Sequence, residues 1–365
     1  MKTDVLIAGG GLAGLYLAYR LEQGAINYRV VEARSRLGGR VLSLPSEKRG
    51  AQEDRYDLGP AWFWPGQPRL QELLDELGLT VFAQYSEGGL VYQDRDGSVQ
   101  RDLQYSTMAG SLRVSGGVAC LTESLSRRIP AHKLLVNQKV TALCLSGDGI
   151  HTTIQQNHEE AEVRSSLVAL ALPPRLAAGS IAFQPALESN ATGAMDSIPT
   201  WMAAHAKIIA TYEKPFWREA GLSGDGISQR GPLVEIHDAS PATGTTGALF
   251  GFVGVPAPAR RSPEFDIAKL AVEQLGLMYG AKGAQPMDVL VQDWAREEYT
   301  ATADDENEQL LQHPAYGTPA PLINLWDGKL LLTSSEMAPV FGGYLEGALE
   351  AAETTATRII RTLTP

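Results

Sequence analysis

The 365-residue chain has only two cysteines, Cys120 and Cys144, and neither lies in a CxxC pair or at a metal-like spacing. This excludes a disulfide framework and points to a reducing compartment. The six histidines form no ligand pattern, and no GxSxG, Walker or HExxH motif occurs, so no metal is expected and those chemistries have no residues to carry them. Basic runs are no longer than a pair such as Arg260-Arg261 and the net charge is -11, which argues against nucleic acid as a partner. No apolar stretch approaches the roughly 20 residues needed to cross a bilayer. The first strand starts directly after Lys2, leaving no room for a cleavable leader. A cytoplasmic protein without a membrane or nucleic-acid partner is the expectation, and no internal repeat or low-complexity tract complicates it.

The hydrophobic content of 44% is enough for a large core and about two domains. The informative stretch is Val5-Leu6-Ile7-Ala8-Gly9-Gly10-Gly11-Leu12-Ala13-Gly14-Leu15, read as a buried parallel strand, a tight turn and the start of a helix. Gly9 permits the turn. Gly11 lets a pyrophosphate approach the positive end of the helix, and Gly14 lets the helix lie close on the sheet. The helix runs through Leu15, Ala18, Tyr19 and Leu21 and stops near Gly24. Tyr28-Arg29-Val30-Val31-Glu32 then reads as a second buried strand ending where a ribose-binding carboxylate is expected. Taken alone, Glu32 reads more readily as a solvated charge at a strand end.

Directly after it comes Ala33-Arg34-Ser35-Arg36-Leu37-Gly38-Gly39-Arg40. Joined to the fingerprint and the acid, this stretch resembles the flavin-binding start of the amine oxidase family, which includes monoamine oxidases and histone lysine demethylases. The resemblance implies an α/β fold: a discontinuous FAD-binding Rossmann-like domain (1–58, 107–173 and 327–365) with an inserted α+β substrate-binding domain (59–106 and 174–326). It places FAD against Gly9, Gly11, Leu12, Ala13, Gly14, Glu32, Ala33, Arg34, Gly38, Gly39 and Arg40. It also brings the backbone of Gly59, Pro60, Ala61 and Trp62 beside the flavin, although Trp62, Phe63 and Trp64 read equally as packing between two domains.

Gln67–Leu79 is predicted as an amphipathic helix, and Leu90–Val99 as a hairpin around Asp96-Gly97. Gly116-Gly117 precedes a helix carrying Leu121, Leu125 and Ile129. A strand over 135–140 places Val140 where relatives hold the adenine, while a strand valine is also ordinary core. Larger relatives insert a long helical region after the counterpart of Trp62. Here the glycine pair arrives early, which implies a trimmed, more open site. Leu167–Leu172 reads as the return strand, closed by Pro173-Pro174.

His205–Tyr212 alternates as a strand with His205, Lys207, Ile209 and Thr211 on one face, followed by Pro215-Phe216-Trp217. Lys207 resembles the family's flavin-site lysine, which holds a water near flavin N5; the alternative is a lysine on a wet strand face. Ser223-Gly224-Asp225-Gly226 reads as a turn, 266–279 as a helix stopped by Gly280, 289–294 as a strand and 304–308 as an acidic loop. His313-Pro314-Ala315-Tyr316-Gly317 matches the region where monoamine oxidases carry the cysteine that bonds the flavin. Ala315 stands there, so FAD is expected without a covalent bond.

Near the C-terminus a strand over 330–335 leads to Glu336, expected at the FAD. Gly342-Gly343-Tyr344-Leu345-Glu346-Gly347-Ala348 opens the last helix, and the resemblance implies that its first amides are aimed at the flavin pyrimidine edge, with Leu345 and Ala348 in contact. By the same resemblance Tyr344 and Tyr316 are expected as facing walls of an aromatic cage, with Tyr316 reading equally as a turn tyrosine packed on a neighbouring loop. The implied activity is hydride transfer from the carbon next to an amine to FAD, giving imine or aldehyde, ammonia and, with O2, hydrogen peroxide. A renalase-like oxidase of reduced nicotinamides, or a flavin-binding partner without turnover, remain as alternatives. The oligomeric state is left open.

Overall fold

The structure, a computed structural model, describes residues 2–46, 54–157, 159–308 and 312–364. Two sheets organise it. In the first, the described strands run in the order Ala182–Gln184, Lys139–Ser146, Gly149–Gln156, Glu159–Leu170, Lys2–Ala8, Tyr28–Val31 and Leu134–Leu135, with Leu330–Leu332 joining Glu159–Leu170. The inner pairings are parallel, setting Val5 beside both Tyr28 and Leu167, and Val168 beside Leu330. Val5, Leu6 and Ile7 are fully buried, as a strand covered on both faces requires.

The fingerprint turn forms because glycine alone fits it. Gly9 has φ +111°, and a Cβ there would sit 2.6 Å from the Ala171 carbonyl oxygen. At Gly14 a Cβ would meet the Gly9 carbonyl oxygen at 1.9 Å. The helix Leu12–Gln23 therefore starts hard against the strand end, and it packs on the C-terminal helix Leu345–Leu363 through Leu15, Leu349, Ala352 and Ile359. Each such large apolar side chain contributes about 1.5–3 kcal/mol on burial.

The second sheet takes its strands in the order Asp288–Asp293, Ala206–Tyr212, Gly247–Val253, Leu233–Asp238, Leu222–Ser228, Gly89–Gln93 and Val99–Leu103. Its pairings are antiparallel except for Leu222–Ser228 on Gly89–Gln93. The helix Ile267–Tyr279 covers one side with Ala271, Leu275 and Met278. It starts at Asp266, which accepts from the Lys269 amide, and ends at Gly280.

Several elements depart from the sequence expectation. Ala182–Gln184, assigned with the substrate-binding part, pairs in parallel with Ala142–Cys144 because Ile181 and Phe183 fill the first sheet's core. The helix Pro68–Glu76 packs into the core on the opposite face of that sheet through Leu70, Leu73 and Leu74. Its N-terminus has no side-chain cap of its own, and the buried Glu346 carboxylate accepts from the Leu70 amide at 2.8 Å. The strand expected over 135–140 breaks at Asn137, whose φ is +57°. Ser223–Gly226 is not a turn but lies inside a buried strand. The expected acidic loop folds as a short helix, Ala303–Asn307, with a capping box between Thr302 and Asp305, and Asp305 also pairs with buried Arg175 at 2.8 Å. Among the described residues no helix is long and apolar enough to cross a membrane.

Candidate active site

A cavity of about 520 Å³ runs between the two sheets, along the carboxyl ends of the parallel strands. At one end the strand Tyr28–Val31 delivers Glu32, only 4% exposed. Its two oxygens accept from the amides of Gly10 (2.7 Å) and Arg34 (2.9 Å), so the carboxylate is fixed while still lining the cavity. Ala33, Arg34, Lys139 and Val140 complete this end.

In the middle lie Gly9, Gly11, Leu12, Ala13, Gly38, Gly39 and Arg40. The helix beginning at Leu12 has no side-chain cap, leaving its positive end for a ligand. Arg40 lines the wall and is held by a bidentate pair with Glu336 at 2.7 and 3.2 Å and by Ser335 Oγ at 3.2 Å. Glu336 is 0% exposed and does not line the cavity, so it reaches a ligand only through Arg40 rather than directly as expected. Gly14 likewise lies behind the wall, where its missing side chain serves helix packing.

The far end holds Gly59, Pro60, Ala61, Trp62, Lys207, Tyr344, Leu345 and Ala348. Lys207 is not on a wet face: every residue of Ala206–Tyr212 is buried. Its ammonium donates to the Gly59 carbonyl and lies 4.9 and 5.1 Å from the ring centres of Phe250 and Phe252. Burial pulls its pKa down to about 8, with only the Asp57 carboxylate pulling the other way. Asp57 in turn accepts from the Val118 amide at 2.8 Å, tying the strand before Gly59 to the helix Ala119–Arg127. His205, two residues before Lys207 on the same face, is brought to about 4 by burial and by the charges of Lys207 and Arg260.

Tyr344 lines the cavity and Tyr316 does not. The Tyr316 hydroxyl donates to the Pro199 carbonyl at 2.8 Å, which turns the ring away, and His313 occupies the space between the two tyrosines. His313 stacks on Tyr344 with centroids 4.9 Å apart and meets Tyr316 edge-on at 5.5 Å. Of the expected facing pair only Tyr344 lines the cavity, with His313 stacked on it outside the lining and the cavity-lining Trp201 4.7 Å from His313.

One cluster was not foreseen. His237, 1% exposed, places Nδ1 2.9 Å from Asp225 Oδ1 and Nε2 2.9 Å from Glu235 Oε1. Burial alone would lower its pKa, but the two carboxylates hold it above the ordinary imidazole value. Each ring nitrogen thus faces a carboxylate oxygen, so two acidic side chains share one imidazole. Glu235 and His237 line the cavity beside Trp62, whose ring lies 5.2 Å from His237. The signal was present in Leu233–Asp238, where Glu235 and His237 share one strand face. Its partner Asp225 was hidden in a stretch that reads as a turn.

The residues present suit a dinucleotide. An uncapped helix end and a fixed carboxylate face the cavity, and Ser334 Oγ and His205 Nδ1, on lining residues, are buried without a partner in the protein. Neither Cys120 nor Cys144 lines the cavity, so no thiol is placed to bond a flavin.

Fold and site together define an FAD-dependent oxidoreductase with a Rossmann-like nucleotide unit. The profile of the flavin containing amine oxidoreductases matches residues 95–360, and that of an NAD(P)-binding Rossmann-like domain matches 7–77. The chain belongs to the flavin-containing amine oxidase family. A probable flavin-containing monoamine oxidase A of Dictyostelium discoideum is 24% identical, with 95% of each chain covered. A putrescine oxidase of Kocuria rosea is 23% identical over 99% of this chain and 95% of its own. Among solved structures, putrescine oxidase bound to putrescine superposes with a TM-score of 0.81 at 21% identity, covering 99% of both chains. Cyclohexylamine oxidase from Brevibacterium oxydans IH-35A superposes with a TM-score of 0.81 at 19% identity over the whole of both chains. FAD is the cofactor, and its attachment is non-covalent. Acid precipitation of the holoprotein is expected to leave the yellow colour in the supernatant; colour in the pellet refutes this.

Proposed function

We propose that the protein oxidises a small amine that carries a second cationic group, with O2 as acceptor. The observation that carries the reading is the presence in one cavity of the buried Lys207 amine and the Asp225–His237–Glu235 cluster, both lying against the Phe250 ring. When bound, FAD accepts a hydride from the carbon next to the amine and passes the electron pair to O2 as hydrogen peroxide. The amine nitrogen loses a proton, and water hydrolyses the resulting imine to a carbonyl compound and ammonia.

The chain's residues supply position and charge. Glu32 and Val140 mark the adenosine end, while the amides following Gly11 and the Arg40 guanidinium face the pyrophosphate. Leu345 and Ala348 put the start of the last helix at the flavin edge, where anionic charge on reduction is stabilised by a helix N-terminus. Lys207, neutral above about pH 8, holds a water or the substrate proton. Tyr344 gives the substrate an aromatic wall. Glu235, with 41% of its side chain exposed, attracts the distal ammonium, and Asp225 through His237 keeps it in place. On this reading the FAD-binding part comprises 1–58, 107–173 and 327–365, extended by Pro68–Glu76 and by 174–196.

The test is anaerobic bleaching of the flavin by diamines, monoamines of equal length and reduced nicotinamides. Diamines are expected to bleach fastest. Glu235→Gln is expected to lower kcat/KM for the diamine by about 10- to 100-fold, mainly through KM, leaving the monoamine unchanged. Equal bleaching by diamine and monoamine in the unmodified protein sinks the second-cation reading. Bleaching by reduced nicotinamides alone sinks the amine reading, which the amine oxidase relatives favour over that alternative.

A further inference from the structure

The edge strand Asp288–Asp293 of the second sheet continues into Trp294–Thr300, and this segment reaches across to the first sheet. Glu298, Tyr299 and Thr300 line the cavity at the same end as Glu32, Arg34 and Lys139. Arg34 Nε and Nη2 donate to Glu297 Oε2 at 3.3 and 3.2 Å, and Nη2 donates to Thr300 Oγ1 at 2.7 Å. Lys139 Nζ donates to Glu298 Oε1 at 2.8 Å. Tyr299 is gripped from both directions, with the Arg34 guanidinium 5.5 Å and the Lys139 ammonium 5.4 Å from its ring centre. Arg34 is thereby committed: it lies between Glu32, 3.7 Å away, and Glu297, with only 11% of its side chain exposed.

Nothing in the nucleotide unit alone requires these contacts, because Glu32 is already fixed by the amides of Gly10 and Arg34. What they do is hold a loop of the opposite sheet over the adenosine end. We propose that residues 297–300 are the outer wall of the adenosine subsite, and that the pairs Arg34–Glu297 and Lys139–Glu298 form a catch that must open for the dinucleotide to enter or leave. The inference rests on Glu32 and Val140 marking the adenosine end and is independent of which amine is oxidised. Retention of FAD then depends on two ion pairs at the cavity rim, and because such pairs are screened by salt, release accelerates as ionic strength rises.

The test follows FAD release from the holoprotein as the rise in free-flavin fluorescence after dilution, at low and at high salt. For the double variant Glu297→Gln/Glu298→Gln, release at low salt is expected to be about tenfold faster than for the unmodified protein and to lose most of its salt dependence. The swapped pair Lys139→Glu/Glu298→Lys restores slow release, a rescue that a merely charged rim does not provide. Glu123→Gln, which removes the Arg55–Glu123 pair away from the cavity, is expected to leave release unchanged. Unchanged release in the double variant, or release with the salt dependence of the unmodified protein, overturns the proposal. So does a melting point of the FAD-free protein that falls while release stays slow, since the pairs would then only join the two sheets.

Discussion

Lys207→Met is expected to slow flavin reduction by amine at least about a hundredfold, with FAD binding retained, when the bleaching rate is followed anaerobically in a stopped-flow instrument. The magnitude is that of removing a positioned proton-transferring group, about 10²–10⁴. The side chain is of similar length and apolar, so the strand Ala206–Tyr212 keeps its packing. What disappears is a nitrogen whose pKa is held at about 8 by burial. The neutral amine is the form that can accept a proton, so the rate in the unmodified protein is expected to climb as pH rises through about 8, and this limb is absent from the variant. The same burial has a consequence for stability. The folded state binds this proton more weakly than the unfolded chain does. The cost is therefore fully present below about pH 8 and is relieved as pH rises toward the ordinary lysine value of 10.5. A variant that bleaches at the normal rate with an unaltered profile removes Lys207 from the chemistry.

The second large effect belongs to Glu336→Gln. The carboxylate is fully buried, and although burial alone would raise its pKa, the Arg40 guanidinium holds it below the ordinary value. Removing one partner of such a pair leaves the other charge uncompensated, at about 3–5 kcal/mol, with the isosteric amide at the lower end. The FAD-free variant is expected to lose about 3 kcal/mol in denaturant unfolding at neutral pH, and its FAD affinity falls because Arg40 is no longer aimed into the cavity. For a carboxylate whose folded pKa is depressed, the stabilisation is present above the unfolded value near 4.5 and is lost as pH drops through the folded pKa. The gap between variant and unmodified protein therefore closes in acid. A gap of the same size at all pH values shows that packing rather than charge is responsible.

What could be read from the sequence was local in origin. Gly9 and Gly14 announce the turn because one needs a positive φ and the other a bare Cα against the Gly9 carbonyl, requirements met within a few residues. Glu32 follows from the same unit, as does the strand bearing Lys207, whose flanking apolar residues give the alternation. The misreadings have long-range causes. Asp225 sits among glycines and looks like a turn residue until the neighbouring strands Leu233–Asp238 and Gly89–Gln93 enclose it. Glu336 carries an acid where one is expected, but only the fold places Arg40 between it and the cavity. Tyr316 is lost to a carbonyl more than a hundred residues earlier in the chain, at Pro199. Glu297 and Glu298 have no local signal at all, since their partners Arg34 and Lys139 are brought beneath them only by the fold.

The order of the chain adds a further consequence. The turn that begins the nucleotide unit is distant in sequence from its partners: Leu330–Leu332 pairs with Val168–Leu170, and the helix from Leu345 packs on Leu12–Gln23. The opening strand and its glycines therefore make only one side of the cavity, and Leu345 and Ala348 on the last helix are needed to complete it.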